Sequence, residues 1–238
     1  MAARFEGKVV AITGGSAGVG AACARAFARE GAKLVLAARG ADALEALARE
    51  LRPYPVTTVT ADVARDDDCR RIVTAAEERF GALNVLVNNA GYNARGDFET
   101  LAAEELARVI DVNLRSPIVL SRLALPLLRS SGGGAIVNVA SLAGRTPLPR
   151  AVVYSASKFG LRAFSLALNE ELRGTGVTVS VVSPGPLFTG FLMDNMADAA
   201  DIVFSQPMRT AEQVASAVLA CAADGTPERA LPRGPGVL

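Results

Sequence analysis

Short apolar runs alternate along the chain with longer stretches in which apolar residues return every three or four positions. The runs Lys8–Thr13, Lys33–Ala38, Val56–Thr60, Val85–Asn88, Ala135–Val139 and Val177–Val182 each predict a buried strand. The helical period predicts helices over Val19–Glu30, Ala41–Leu51, Asp66–Phe80, Leu101–Arg129, Val152–Leu172 and Ala211–Ala222. Gly31 and Gly81 mark helix ends, and Asp42 stands near a helix start. Pro117 and Pro126 should bend the long stretch Leu101–Arg129. Gly132–Gly134 read as a loop, and a short last strand is expected at Glu228–Leu231. Strands apolar on both faces and separated by helices indicate a parallel sheet covered on both sides. Right-handed crossovers then give an α/β fold, a doubly wound parallel sheet with helices on both faces. No linker or repeat divides it, so residues 1–238 read as one domain.

Composition narrows the chemistry. Half of the residues are hydrophobic and the formal net charge is +1, which gives no reason to expect nucleic acid or an anionic membrane as a partner. No apolar run approaches the ~20 residues of a membrane span, and the N-terminus lacks the apolar segment of a signal peptide. The expected location is cytoplasmic. Cys23, Cys69 and Cys221 are far apart, with no Cys-x-x-Cys pair, and read as small apolar residues of helices. Histidine is absent. That excludes Ser-His and Cys-His catalysis within one chain and every His-ligated metal site, so no metal is expected.

Between the first strand and the first helix stands Thr13-Gly14-Gly15-Ser16-Ala17-Gly18-Val19-Gly20. This is where a dinucleotide pyrophosphate meets a helix N-terminus. Gly14 permits the tight turn, Gly18 the close approach of backbone to phosphate, and Gly20 close helix packing. The same stretch fits a Gly-x-Ser-x-Gly nucleophile elbow at Ser16, but no histidine exists to activate a serine. Ala21-Ala22 stand where a phosphate-binding P-loop needs Lys and Ser/Thr. The second strand ends Ala37-Ala38-Arg39. An acid that would bind a ribose 2′-hydroxyl is missing, and a guanidinium is available for a 2′-phosphate. NADP is therefore favoured over NAD.

Tyr154 and Lys158 are four residues apart on a predicted helix and share a face. An ammonium beside a phenol should lower its pKa from about 10. Tyr154 can then exchange a proton with a carbonyl or hydroxyl while hydride passes to or from nicotinamide. Ser141 follows the strand Ala135–Val139 and reaches the same sheet edge, where its hydroxyl can polarise a substrate oxygen.

With these pieces the chain resembles the short-chain dehydrogenase/reductase family over nearly its whole length. The matching residues are Thr13–Gly20, Asp62-Val63, Asn88-Asn89-Ala90-Gly91, Asn113, Ser141, Tyr154, Lys158 and Pro184-Gly185. The resemblance implies a Rossmann fold and four catalytic residues. Tyr154 is the acid/base, Lys158 holds the nicotinamide ribose and tunes Tyr154, Ser141 positions the substrate, and Asn113 helps hold a water-linked proton path. It implies a cofactor site from Gly14, Ser16, Gly18, Val19, Gly20, Arg39, Asp62, Val63, Asn89, Ala90, Gly91, Tyr154, Lys158, Pro184, Leu187 and Thr189, with Asp62 on adenine and Leu187 and Thr189 on the carboxamide. Two plainer jobs stay open: Asn113 bracing a helix bend and Asp62 capping a turn. The family forms dimers and tetramers. Here the C-terminal tail alters one of its two usual contacts, while helices Leu101–Arg129 and Val152–Leu172 offer the other, so a homodimer or homotetramer is expected.

Residues from Pro186 to about Pro207 should form a lid rich in apolar side chains, which suggests a largely apolar substrate. Arg145 and Arg150 flank the approach to Tyr154 and read as solvated loop residues rather than anion binders. The expected activity is interconversion of a carbonyl and a secondary alcohol on a small molecule. The rival is a dinucleotide-binding sensor without turnover.

Overall fold

The computed structural model describes residues 3–187 and 207–231. Within them lie β1 (Val9–Thr13), α1 (Gly18–Arg29), β2 (Lys33–Ala38), α2 (Ala41–Glu50), β3 (Val56–Thr60), α3 (Asp66–Phe80) and β4 (Val85–Asn88). There follow α4 (Ala103–Ile110), α5 (Ser116–Ser130), β5 (Gly134–Val139), α6 (Val152–Glu171), β6 (Val177–Pro184), α7 (Ala211–Asp224) and β7 (Glu228–Leu231). The seven strands pair in parallel in the order 3-2-1-4-5-6-7. This is the doubly wound Rossmann sheet that the strand and helix pattern implies. Most element ends fall within two residues of expectation.

Alternation along the strands explains the two helix layers. Val10 and Ile12 of β1 point into the core shared with α1 and α7, beside Phe27 and Val218. Val9 and Ala11 point into the opposite core, beside Cys69 and Ile72 of α3 and Leu120 and Leu128 of α5. All three cysteines are buried free thiols. Burial pushes the Cys23 thiol up to about 12 and the Cys69 thiol up to about 11, so both stay protonated and pack as apolar groups. Among the described residues no helix is long and apolar enough to cross a membrane.

One element departs from the sequence reading. The stretch Leu101–Arg129 is not a helix bent at its prolines. It is α4, then a π turn over Asp111–Arg115, then α5. Pro117 lies in the first turn of α5, where a missing N–H does least harm. Its effect falls one turn earlier, because it cannot donate to the carbonyl of Asn113. The Ser116 N–H reaches back five residues to the Asp111 carbonyl instead. Arg115 pins the turn to the start of α3 through a 2.6 Å contact with Asp66.

Candidate active site

In a sheet of this order the strand order reverses between β1 and β4, and a crevice opens there at the carboxyl ends of the strands. A cleft of about 650 Å³ lies there. Gly14, Ser16, Gly18, Val19, Arg39, Asp62, Val63, Asn89, Ala90, Gly91, Ser141, Tyr154, Lys158, Pro184 and Leu187 all line it. Gly20 and Asn113 stand behind its wall, and Thr189 falls outside the described residues, as does most of the expected lid.

The turn after β1 is held from β4. Thr13 Oγ1 accepts hydrogen bonds from the Asn89 and Ala90 N–H groups, both at 3.1 Å. The Asn89 amide donates to the carbonyls of Thr13 (3.0 Å) and Gly14 (3.2 Å). Gly14 has φ +62°. A Cβ on Gly20 would lie 2.0 Å from the Gly14 carbonyl oxygen, so the third glycine serves the turn itself more than the packing of helix on strand. Ala17 precedes α1 and provides no side-chain cap, which leaves the first N–H groups of the helix available at the cleft.

Asp62 does two things at once. Its Oδ1 accepts from the Ala64 N–H at 3.1 Å, so it does cap a turn, and its Oδ2 meets Arg108 at 2.7 Å. Burial would raise its pKa, but the Arg108 hydrogen bond and the turn N–H outweigh that and hold the carboxyl below its usual range. Arg39 is exposed at the cleft rim and makes no ion pair among the described residues.

At the other end, the Ser141 hydroxyl lies close enough to the Tyr154 phenol to act on its proton. Ser141 also starts a short 3-10 turn, its Oγ accepting from the Ala143 N–H at 3.1 Å. Lys158 Nζ donates to the Val139 carbonyl at 2.9 Å and lies 5.7 Å from the centre of the Tyr154 ring. The electrostatics run against the sequence expectation. Burial pushes the Tyr154 phenol above its ordinary value, with Ser141 and the charge of Arg95 partly opposing it. Burial also pulls Lys158 down to about 8. A spacing of four residues brings the two side chains together, but it does not tell how deeply both are buried, and burial disfavours both charged forms.

Asn113 is fully buried and braces two elements. Its amide exchanges hydrogen bonds with the backbone of Tyr92, at 2.8 and 2.7 Å, and donates to Ser157 Oγ at 3.1 Å. A second buried chain runs from Asn88 to Asn138 and on to Ser165, each link 2.8 Å, and pegs α6 to the strand ends. Arg145 and Arg150 are committed elsewhere, to Glu228 at 3.9 Å and Asp97 at 2.8 Å. The arginines that do line the cleft beside Arg39 are Arg95 and Arg108. Sequence reasoning passes over both. Their only signal is position: Arg95 lies on the loop leaving β4 at the carboxyl edge, and Arg108 is one helical turn before the cleft residue Val112.

The short chain dehydrogenase family model matches residues 8–200. The chain belongs to that family. A ketoacyl reductase of a Nostoc species, HetN, is 35% identical over 218 residues, which is 90% of this chain and 76% of the relative. The L-fucose dehydrogenase of Bos taurus is 38% identical over 191 residues, 79% of this chain and 69% of the relative. An oxidoreductase of Bacillus subtilis, YvrD, is 34% identical over 198 residues, 83% of this chain and 75% of the relative. Family membership makes this an oxidoreductase that works with a nicotinamide dinucleotide. The cleft fits such a group. An uncapped helix N-terminus faces it, glycines stand where a Cβ would collide, and cations outnumber its single described carboxylate.

Proposed function

We propose that the chain is an NADP(H)-dependent reductase of a small carbonyl compound, and in reverse a dehydrogenase of the secondary alcohol. The observation that carries this is a buried Tyr154, held toward its neutral form, lining the cleft together with Ser141 and Lys158. A phenol held in its neutral form is ready to give a proton, which is what carbonyl reduction asks of it. Tyr154 donates to the substrate oxygen as negative charge develops there, and the Ser141 hydroxyl steadies the same oxygen. The dinucleotide, when bound, supplies the hydride. Its pyrophosphate would rest on the N–H groups of Gly18 and Val19, its 2′-phosphate on Arg39, its adenine beside Asp62 and Val63, and its carboxamide near Leu187. Lys158 has three donors, of which the Val139 carbonyl takes one, and would hold the ribose next to the nicotinamide. Asn113 acts as a positioning residue, since its bonds run to the Tyr92 backbone and to Ser157, whose hydroxyl donates to the Tyr154 carbonyl at 2.7 Å. Leu142, Ala143 and Leu148 give the substrate an apolar wall. The exposed apolar side chains of Ile118 on α5 and Phe159 on α6 support a homodimer through those helices. The Ser141, Tyr154 and Lys158 set in the cleft argues against a sensor without turnover, which has no need of an acid.

The deciding experiment is Tyr154→Phe assayed with NADPH and a panel of carbonyl compounds. NADPH binding should be unchanged, and turnover should fall by about 10²–10⁴-fold, the worth of a positioned acid. Full turnover by the variant would remove the mechanism.

A further inference from the structure

Glu228 does not line the cleft, yet its carboxylate joins the two pieces of chain that carry the chemistry. It sits on β7, at the edge of the sheet. Arg162 of α6 meets it with two parallel hydrogen bonds, Nε to Oε1 at 2.7 Å and Nη2 to Oε2 at 2.8 Å. Arg162 stands one helical turn beyond Lys158 and two beyond Tyr154. Arg145, which ends the short 3-10 turn begun by Ser141, comes within 3.9 Å of the same Oε1. That turn also leans on α6 directly. A Cβ on Gly144 would lie 2.5 Å from the Lys158 carbonyl oxygen, so backbone meets backbone there. The Glu228 side chain is only 20% exposed, and a bidentate pair at that depth is held more firmly than a solvated one. The Arg162 hydrogen bonds, with the charges of both arginines, outweigh burial and hold the carboxyl below its ordinary range. Among the described residues no other carboxylate pairs with Arg145 or Arg162.

We propose that Glu228 is a positioning residue for the reaction: it clamps the Ser141 turn onto α6 and so sets the spacing between the Ser141 hydroxyl and the Tyr154 phenol. This rests on the reductase reading above. Glu228 touches neither substrate nor dinucleotide, and acts through the two arginines. One is fixed to the serine turn and the other to the helix of the acid. Without the carboxylate the two like charges push turn and helix apart, and the Ser141 hydroxyl moves with the turn.

The test is a double-mutant cycle on the full chain, with NADPH and the carbonyl compound that the parent reduces best. Glu228→Gln keeps the shape and removes the charge. It should lower kcat by about tenfold, as a small misplacement of a catalytic group does, and leave NADPH affinity within about twofold. In a Ser141→Ala background the same change should cost less than about twofold, because the hydroxyl it places is already gone. Adding Arg145→Gln to Glu228→Gln removes the repulsion and should bring kcat back to within about threefold of the parent. Arg145→Gln alone spares the Arg162 pair and serves if Glu228→Gln folds poorly; it should lower kcat by about threefold, and Arg145→Lys should recover it. Amide hydrogen exchange reads the clamp without turnover. The N–H groups of Gly144, Arg145 and Thr146, bonded to the Ser141 and Leu142 carbonyls, should exchange about tenfold faster in Glu228→Gln, while those of β5 keep their rates. Unchanged exchange in the turn, a parent-like kcat in Glu228→Gln, or an equal loss with and without the Ser141 hydroxyl overturns the positioning role and leaves the reductase standing. If the parent reduces no carbonyl compound, the reductase reading falls, and the positioning role with it.

Discussion

Where β1 meets α1 the cleft is made of backbone, and where β5 faces α6 it is made of buried polar side chains. The first end works by leaving atoms out. Gly14 and Gly20 let the chain fold on itself, and Ala17 leaves the helix N–H groups uncapped. The second end works by holding groups where they are uncomfortable. Tyr154 and Lys158 are both displaced toward neutrality by burial, and a mesh of amides and hydroxyls keeps them in place. The two ends should therefore fail differently: one when an atom is added, the other when a function is removed.

The strongest challenge to that contrast is Gly20→Val. Its Cβ would stand 2.0 Å from a backbone oxygen, and backbone cannot swing aside as a side chain can. We expect a loss of at least about 3 kcal/mol in chemical denaturation, the upper range for overpacking, together with loss of dinucleotide binding. A variant that keeps both would show that the turn has room the contact denies it.

At the other end, Lys158→Met should lose turnover yet gain stability. The lysine falls from 10.5 to about 8 on folding, worth about 3 kcal/mol at neutral pH, and the lost bond to the Val139 carbonyl takes back part. The net gain should be about 2 kcal/mol in urea at pH 7. The sign with pH follows from proton uptake. Between pH 8 and 10.5 the unfolded chain holds a proton on Lys158 that the folded chain has released, so parent stability rises with pH there. The advantage of the variant should shrink across that window. An advantage independent of pH would mean that the amine is not displaced.

The smallest expected effect sharpens the first end. Arg39→Asp places an acid where a 2′-phosphate would sit, on an exposed rim. NADPH affinity should fall by about tenfold while NADH changes little, as a single charge-assisted contact near solvent warrants. Equal effects on both would dismiss the contact.

Legibility in the sequence follows the same division. The sheet could be read because strand composition and glycine positions are local facts, and the glycine turn could be read because only glycine tolerates its geometry. The Tyr154 and Lys158 pair could be located from its helical spacing, but its protonation could not, because burial is set by neighbours distant in sequence, such as Val139 and Leu142. The π turn escaped because Pro117 reads as a bend where it stands, while its missing N–H acts on Asn113, four residues back. Arg95 escaped because a lone arginine in a loop has no period to betray it, whereas Arg145 and Arg150, nearer Tyr154 in sequence, drew notice and proved to be spoken for by Glu228 and Asp97.

A π turn holds one residue more than a regular helical turn, so the segment Asp111–Arg115 behaves as a built-in insertion. Excising a single residue there would give a smoother cylinder and rotate all that precedes it by about 100° relative to α5. The Asn113 amide could not then clasp both Tyr92 and Ser157. A small deletion in this stretch would leave a tidier helix and unclasp Tyr92 from Ser157.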